Sequence, residues 1–326
     1  ELTALGGARG QQGASQTDAR SLTRMDAYTT LGESLQGGMM HGIPTGYAYF
    51  DVRQQLGWLP GELIGIVARP YVGKSWLLVW HGAIAWQAGY RVLMLSPEMV
   101  VEEAEARFDA VLCGLRGVPV SVTDLYRGFQ PTAAQRALAG EIAKRQDWIT
   151  LDTAGGRPFK LQQIPRLIAT HHPDLVLVDG LPLVGGEASR GQALWEQIKE
   201  LSYGLKDVAV GAHLPIIVTH QATRGAHDTK KPPGLHEIAF GDAFGQACDR
   251  VLVLSRTQDD DQRRMTIQKF RKGRPVQGGI ELVFDPEHGK IHEVKDDPLP
   301  RGAKGTRRDR AAGEARARTE ELLSIP

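Results

Sequence analysis

The stretch Leu63-Ile64-Gly65-Ile66-Val67-Ala68-Arg69-Pro70-Tyr71-Val72-Gly73-Lys74-Ser75 decides how the rest of this chain is interpreted. Its first five residues form a short apolar run without alternation, which is typical of a parallel strand buried on both faces. Residues 68–75 then follow the pattern Ala/Gly-x-x-x-x-Gly-Lys-Ser, and residues 76–80 begin a helix. The stretch therefore predicts a strand, a phosphate-binding loop and a helix, in that order.

The phosphate-binding loop, Ala68 to Ser75, has residue types that suit a bound nucleoside triphosphate. Backbone N–H groups at a helix N-terminus can surround phosphates, and the helix dipole favours negative charge there. Gly73 lets the backbone approach closely, Lys74 would reach the terminal phosphates, and the Ser75 hydroxyl would join the shell of a Mg²⁺ ion. The alternative is a chance match on a surface turn, which the flanking strand and helix disfavour. The candidate nucleotide-binding residues are Ala68, Arg69, Pro70, Tyr71, Val72, Gly73, Lys74 and Ser75.

Length and composition limit the classes of protein that the chain can represent. Its 326 residues are enough for one large α/β core, and the net charge of +1 excludes global basicity as a reason to bind nucleic acid. The two cysteines, Cys113 and Cys248, are too few for a disulfide framework or a zinc site. No apolar run has the length of a membrane span, and the N-terminus has no signal-peptide pattern. We expect reduced thiols and a cytoplasmic location.

Strand and helix patterns alternate after the loop. Strands are predicted at 91–96, 148–151, 174–179 and 215–219, and helices at 98–114, 133–145, 161–171 and 192–208. Residues 42–60 are rich in turn residues. Strands alternating with helices at this spacing predict an α/β fold with a mainly parallel central sheet and helices on both faces.

The alternation of strands and helices stops at residue 250, because four short strands are predicted after it without helices between them. They lie at 250–255, 265–270, 280–284 and 290–294 and suit an antiparallel extension of one sheet edge. These patterns divide the chain into a Gly-rich flexible tail (1–20), an amphipathic linker helix (21–41), a core domain (42–295) and a basic, disordered tail (296–326). The linker helix has two open alternatives: it packs on its own domain or on a neighbouring subunit.

Polar side chains follow three predicted strands. Ligands of an open α/β sheet bind at the carboxyl ends of its strands. Asp179 could hold Mg²⁺ together with Ser75, and because Gly180 follows it instead of a second acid, Glu98 is the candidate base that orients a water molecule. Gln221 could sense the γ-phosphate by hydrogen bonding. The simpler interpretations are a helix first-turn acid for Glu98, a turn start for Asp179 and a structural amide for Gln221.

Two sets of basic residues complete the candidates. Lys269 and Arg271 alternate along a strand, which would aim both at one anionic target, unless they form an ordinary solvated turn. The loops at 185–190 and 223–231 follow two strands and are Gly-bearing and partly basic, so they could track a phosphate backbone. Their candidate DNA-binding residues are Arg190, Arg224, Lys230 and Lys231.

The ordered set of motifs resembles the C-terminal motor domain of DnaB-type replicative helicases, in the RecA-like class of P-loop ATPases. The resemblance runs from about 42 to 294 and rests on the following segments: Gly42-Ile43-Pro44-Thr45-Gly46, Ala68 to Ser75, Ser96-Pro97-Glu98-Met99, Leu177-Val178-Asp179-Gly180-Leu181, the helix with Leu201-Ser202-Tyr203-Gly204-Leu205-Lys206 through Pro215 to Gln221, Gln246-Ala247-Cys248-Asp249-Arg250-Val251, and Lys269-Phe270-Arg271-Lys272-Gly273. The chain departs from the family at Pro182, where a Gln is usual, and at 235–242, which lack its Arg-Glu-Ser-Gly stretch.

The resemblance implies an ATP- and Mg²⁺-dependent motor that translocates on single-stranded DNA as a ring, expected to be a hexamer with ATP between subunits. It further implies that Lys269 and Arg271 act on the neighbour's nucleotide, that the linker helix docks on the adjacent subunit, and that a loader or other replication proteins are partners. The alternatives are a RecA or clock-type ATPase, an ATP-switched DNA-binding or loading protein and, with less support, a small-molecule kinase.

Overall fold

The computed structural model describes residues 42–128, 131–152, 159–185, 193–222, 241–273 and 279–294. The helices are α1 (Lys74–Gln87), α2 (Val101–Leu115), α3 (Val122–Arg127), α4 (Ala133–Arg145), α5 (Ile164–His171), α6 (Leu194–Ala212) and α7 (Gly241–Ala247). The strands are β1 (Leu63–Ala68), β2 (Val92–Ser96), β3 (Trp148–Asp152), β4 (Leu175–Val178), β5 (Ile216–Gln221), β6 (Arg250–Arg256), β7 (Gln262–Phe270), β8 (Ile280–Asp285) and β9 (Lys290–Glu293). The predicted tail and linker segments, 1–20, 21–41 and 296–326, lie outside these residues and stay predictions.

The described strands form one sheet with the order β3-β2-β4-β5-β1-β6-β7-β8-β9. Neighbours from β3 to β6 pair in parallel, and β7, β8 and β9 add antiparallel pairs beyond β6. The predicted α/β class with an antiparallel edge extension is confirmed. Both faces of the parallel part are covered, which explains the unbroken apolar runs of its strands.

Strand β1 lies between β5 and β6, and all six of its residues are buried. Its side chains alternate between two core clusters: Ile64 and Ile66 pack with α1 and α2, whereas Leu63 and Val67 pack with α6 and α7. Helix α1 is buried around nearly its whole circumference, as expected for a helix in the centre of a core. The phosphate-binding loop therefore connects a fully buried strand to a helix that is buried over almost its whole length.

The segment at 42–60, predicted as turns, contains a π-helical turn at Tyr49–Gln54. Asp51 in this turn accepts hydrogen bonds from the backbone of Thr45 and Gly46 and from the Thr45 hydroxyl, at 2.8–3.1 Å. A contact across five or six residues organises the turn, so periodicity could not have revealed it. We call residues 42–60 the leading segment.

Other boundaries differ from the prediction for identifiable reasons. Helix α2 begins at Val101, three residues later than predicted, because Ser96 and Met99 close a turn through the Ser96 hydroxyl. The short helices α3 and α7 were not predicted, since six or seven residues carry too little periodicity. A 3₁₀ turn at Pro286–His288 interrupts the late strands, which were predicted to have no helix between them.

Two further predicted helices have different bounds in the structure. The helix predicted at 161–171 is a 3₁₀ turn, Leu161–Gln163, that continues into α5. Helix α6 runs to Ala212, four residues further than predicted. Among the described residues, no helix has both the length and the apolar composition needed to span a membrane.

Candidate nucleotide site

The phosphate-binding loop has a backbone that only its particular residues permit. Gly73 has φ 113°, and a Cβ at this position would lie 2.4 Å from the ring of Phe284 on β8. Gly73 also gives α1 no side-chain cap, so the first N–H groups of the helix are left for a ligand. Tyr71 has φ 61° and is 94% exposed. The loop is thus shaped around its helix N-terminus and open to solvent at Tyr71.

Two arginines that the sequence analysis missed fix the carbonyl groups of this loop. Arg256, at the end of β6, donates to the carbonyl oxygen of Tyr71 at 3.0 Å. Arg263, in β7, donates from Nε to the carbonyl oxygen of Val72, also at 3.0 Å. Both arginines are almost 200 residues away along the chain, and neither belongs to a local motif. Strands β6 and β7 therefore support the loop from one side.

Lys74, Ser75 and Asp179 meet at the end of the loop. The Ser75 hydroxyl donates to Oδ1 of Asp179 at 3.0 Å, and Lys74 Nζ lies 4.0 Å from the same oxygen. Thr219 of β5, not predicted as a site residue, donates its hydroxyl to this oxygen at 2.8 Å. Asp179 is fully buried, which raises the pKa of its carboxyl group, while the nearby Lys74 ammonium lowers it.

The surroundings of the second carboxylate oxygen of Asp179 show whether a metal ion fits at this site. Oδ2 of Asp179 is buried and has no hydrogen-bond partner among the described residues. A buried carboxylate oxygen without a partner is costly, and an oxygen-preferring cation such as Mg²⁺ would satisfy it. The described residues contain no group of three or more His, Cys, Asp or Glu side chains that could hold a metal alone. Ser75 and Asp179 therefore fit an ion that takes its other ligands from phosphate and water.

Glu98 lies directly beside these residues. Its Oε2 accepts a hydrogen bond from Lys74 Nζ at 2.8 Å, and its side chain is 42% exposed. It precedes the N-cap of α2, Val100, by two residues, so the interpretation as a first-turn helix acid is wrong. A carboxylate that is partly exposed and adjacent to Lys74 can accept a hydrogen bond from a water molecule.

Gln221 ends β5 opposite Ala68, the first residue of the loop. The next amide, of Ala222, donates to the carbonyl oxygen of Ala68 at 3.0 Å, and the Gln221 side chain is exposed. The ends of β1, β2, β4 and β5 thus bring the loop, Glu98, Asp179 and Gln221 to one side of the sheet. We call this side the carboxyl edge.

Lys269 and Arg271 lie on the opposite side. Phe270 between them pairs with Arg250 of β6, which in turn pairs with Ile64 near the start of β1. They are therefore close to the amino-terminal end of the strand whose carboxyl end carries the loop. We call the side with Glu62, Lys206, Asp249, Arg250 and 269–272 the amino edge. The structure does not bring Lys269 and Arg271 to the nucleotide site of their own chain.

The candidate DNA-binding residues lie outside the described residues. Arg190 follows β4 in the gap at 186–192, and Arg224, Lys230 and Lys231 follow β5 in the gap at 223–240. Their assignment to DNA contact stays a prediction.

The loop, the buried carboxylate after β4 and the strand order define a P-loop protein of RecA-like fold. Residues 42–293 match the family described as the DnaB-like helicase C-terminal domain, and the chain belongs to this family. It is 27% identical over 281 residues to the replicative DNA helicase DnaC of Bacillus subtilis strain 168, covering 82% of this chain and 60% of that protein. The replicative DNA helicase DnaB of Geobacillus stearothermophilus is 25% identical over 295 residues, with the same coverage. The chain thus spans about 60% of the length of these relatives.

Solved structures show the same fold. A solved ATPase domain superposes with a TM-score of 0.70 at 21% identity, covering 84% of this chain and 99% of that one. A DnaB-like replicative helicase, described with its interactions with primase, superposes with a TM-score of 0.68 at 20% identity, covering 83% of this chain and 67% of the other.

Proposed function

We propose that this chain is the motor domain of an ATP-dependent DNA helicase, which works as a ring, translocates on single-stranded DNA and unwinds duplex DNA in replication. The observation that carries the proposal is the cluster of Lys74, Ser75, Glu98 and Asp179 at the end of the phosphate-binding loop. The names of the relatives support the helicase activity, and the family assignment supports the motor domain.

Each residue of the carboxyl edge has a separate role in the proposed hydrolysis of ATP. The loop amides and Lys74 would bind the triphosphate, and Ser75 and Asp179 would hold Mg²⁺, which would supply positive charge to the phosphate oxygens. Lys74 is shared: its ammonium group contacts Glu98 and would also contact the terminal phosphates. When the phosphates attract Lys74, the carboxylate of Glu98 becomes free to accept a proton from the attacking water. Gln221 reports the loss of the γ-phosphate to the residues that follow β5.

The location of Lys269 and Arg271 supports action on a neighbouring subunit. The length of β1 from Ile64 to Ala68 is about 13 Å at about 3.3 Å per residue, which separates these cations from their own loop. A head-to-tail ring brings the amino edge of one subunit to the carboxyl edge of the next, and such heterologous contacts close when the rotation permits. We propose a hexamer with ATP between subunits, in which both cations stabilise charge on the transferred phosphate.

The partners follow from the same proposal. Single-stranded DNA would pass through the ring and contact Arg190, Arg224, Lys230 and Lys231, whose loops follow the strands that carry Asp179 and Gln221. Replication proteins such as a loader are further proposed partners. Neutralising phosphates with these side chains makes DNA binding dependent on salt.

The test is to substitute Lys74→Ala and to measure DNA-stimulated ATP hydrolysis and unwinding of a forked duplex. Hydrolysis should fall by at least about a hundredfold, because the ammonium group that binds the phosphates is gone. Lys144→Ala, at an exposed position near the end of α4, is the matched control and should leave both activities unchanged.

Unchanged hydrolysis in Lys74→Ala would refute the assignment of the site. Hydrolysis by the wild-type protein without unwinding would point to a RecA or clock-type ATPase or to a switch protein. Electron microscopy of the assembly with an ATP analogue and single-stranded DNA separates a closed ring from a filament.

A further inference from the structure

The amino edge contains more cations than carboxylates among the described residues. Lys206, Lys269, Arg271 and Lys272 surround two buried acids, Asp249 and Glu62. Glu62 is already engaged by the buried Arg250 at 2.9 Å, and Lys272 approaches it at 3.5 Å. The remaining carboxylate, Asp249, is the acid closest to the cations proposed to act on the neighbour's nucleotide.

The two carboxylate oxygens of Asp249 have different partners: one contacts groups near the start of β1, and the other contacts Arg271. Oδ2 accepts hydrogen bonds from the amide of Leu63 at 2.9 Å and from Lys206 Nζ at 2.7 Å. Oδ1 lies 3.4 Å from a guanidinium nitrogen of Arg271. The backbone amide of Arg271 donates to the carbonyl oxygen of Asp249 at 2.9 Å. Asp249 is only 4% exposed, so its position is set by the start of β1.

The C-terminal end of α7 supplies a second set of acceptors. Lys269 Nζ donates to the carbonyl oxygens of Gly245 and Gln246 at 2.7 and 3.0 Å, and Arg271 donates to that of Gln246 at 3.2 Å. Two cations thus share one carbonyl oxygen. Burial lowers the pKa of Lys269, and the positive charge of Arg271 lowers it further, so the two side chains repel each other. The negative charge of Asp249 opposes this repulsion, since it raises the pKa of Lys269.

We propose, resting on the function proposed above, that Asp249 is a positioning residue for the site of the neighbouring subunit: it holds Arg271, and with it Lys269, in the orientation that reaches the neighbour's γ-phosphate. Asp249 does not touch the nucleotide. A long side chain held by a buried partner loses less freedom when it binds, and a displacement of about 1 Å in a catalytic group costs up to about a hundredfold in rate.

Asp249→Asn removes this interaction with the least disturbance of the fold. The amide oxygen can take the place of Oδ2 and accept from Leu63 and Lys206, as Oδ2 does now. The NH₂ group must then face Arg271, where two donors meet and the negative charge is lost. The reverse orientation would place NH₂ against two donors, so it is disfavoured.

The expected result is a decrease of at least about tenfold in kcat for DNA-stimulated ATP hydrolysis with an unchanged KM for ATP, because the loop of the same subunit is intact. Asp147→Asn is the control, since Asp147 pairs with Arg91 and Arg145 far along the sheet from Asp249. This control should leave kcat unchanged. An unchanged kcat in Asp249→Asn would refute the proposal.

A mixing experiment separates positioning in trans from damage within the subunit. Lys74→Ala lacks a working loop but keeps its amino edge, whereas Asp249→Asn has the reverse defect. In mixed rings, the intact loop of an Asp249→Asn subunit can lie beside the intact amino edge of a Lys74→Ala subunit, and together they form a complete site. Mixing the two impaired proteins should therefore restore hydrolysis. A variant with internal structural damage would not be rescued.

The pair Lys74→Ala and Arg271→Ala tests the underlying function separately. Failure of this pair to restore activity would overturn the proposed action in trans itself. Rescue of this pair without rescue of the Asp249→Asn pair would overturn only the role of Asp249. If Asp249→Asn does not fold, Asp249→Ser takes its place, because a hydroxyl oxygen can still accept from the Leu63 amide.

Discussion

The carboxyl and amino edges of the same sheet both contain buried charges, but they satisfy them differently. At the carboxyl edge, one oxygen of the buried Asp179 has no partner among the described residues, and the loop ends at uncapped helix amides. At the amino edge, Arg250 is paired with Glu62 and Asp249 with Lys206 and the Leu63 amide. A buried carboxylate oxygen without any partner indicates a ligand site, whereas buried carboxylates paired with cations indicate structural support. Substitutions at the two edges should therefore affect different measurements.

The largest expected effect is on stability, at the amino edge. Arg250 is fully buried, pairs with Glu62 at 2.9 Å and lies 4.6–5.2 Å from the ring centres of Phe50, Trp58 and Phe270. Arg250→Met leaves a buried carboxylate without its main partner, which should lower the free energy of unfolding by about 3–5 kcal/mol. Urea denaturation followed by circular dichroism measures it.

Arg264→Met is the matched control for this prediction, because the side chains of Arg264 and its partner Glu281 are 48% and 36% exposed, whereas Arg250 and Glu62 are buried. It should change the free energy of unfolding by less than about 1 kcal/mol. An equal decrease in the free energy of unfolding in both variants would contradict the prediction that the buried Arg250–Glu62 pair stabilises the protein more than the Arg264–Glu281 pair does.

The next effect is on activity, at the carboxyl edge. Asp179→Asn keeps an oxygen that accepts from Ser75 and Thr219 but places an NH₂ group where the unpartnered Oδ2 is. We expect hydrolysis of ATP to fall by about a hundredfold, equivalent to about 2.7 kcal/mol of transition-state stabilisation, while the melting temperature changes little.

Asp174→Asn provides the comparison from the other end of the same strand. Asp174 precedes β4 and accepts from the backbone amide of Arg91, so it has no role at the nucleotide site. Steady-state kinetics should show normal turnover in this variant. If Asp174→Asn lost as much turnover as Asp179→Asn, the end of β4 at which the carboxylate lies would not determine its effect on hydrolysis.

The smallest expected effect concerns pH and the leading segment, which packs on the amino edge. His81 contacts the carbonyl oxygen of Thr45 at 3.1 Å and the Tyr47 hydroxyl at 3.3 Å, and burial lowers its pKa from 6.5 to about 3. The unfolded chain therefore binds a proton more readily, and stability falls as the pH drops below the unfolded value of 6.5. Burial raises the pKa of Asp51 to about 6, which has the opposite sign.

His81→Gln should remove the first of these opposing contributions. Between pH 7 and pH 5 the variant should lose less stability than the wild type, by about 2 kcal/mol in the free energy of unfolding. Chemical denaturation at the two pH values gives this difference. Tyr47→Phe removes a neighbour of the imidazole without removing the titrating group, so the pH dependence should persist in it.

The amino-acid sequence alone determined the local strand, loop and helix around Gly73 and the residue types that follow the other strands. Spacing and periodicity are local properties, and they sufficed for the α/β class, the antiparallel extension and the candidates Glu98, Asp179 and Gln221. They failed where the element was short, as in α3 and α7, or where a side chain organised the backbone, as in the turn held by Asp51.

Only the tertiary structure decided which of these groups meet. The contacts of Arg256 and Arg263 with the loop join segments almost 200 residues apart. Those of Thr219 with Asp179 and of Asp249 with Arg271 connect the ends of neighbouring strands. Strand order and register create them, and neither is encoded in a local pattern, since pairing depends on how several elements bury their apolar faces together. The same register separates Lys269 and Arg271 from the loop of their own chain.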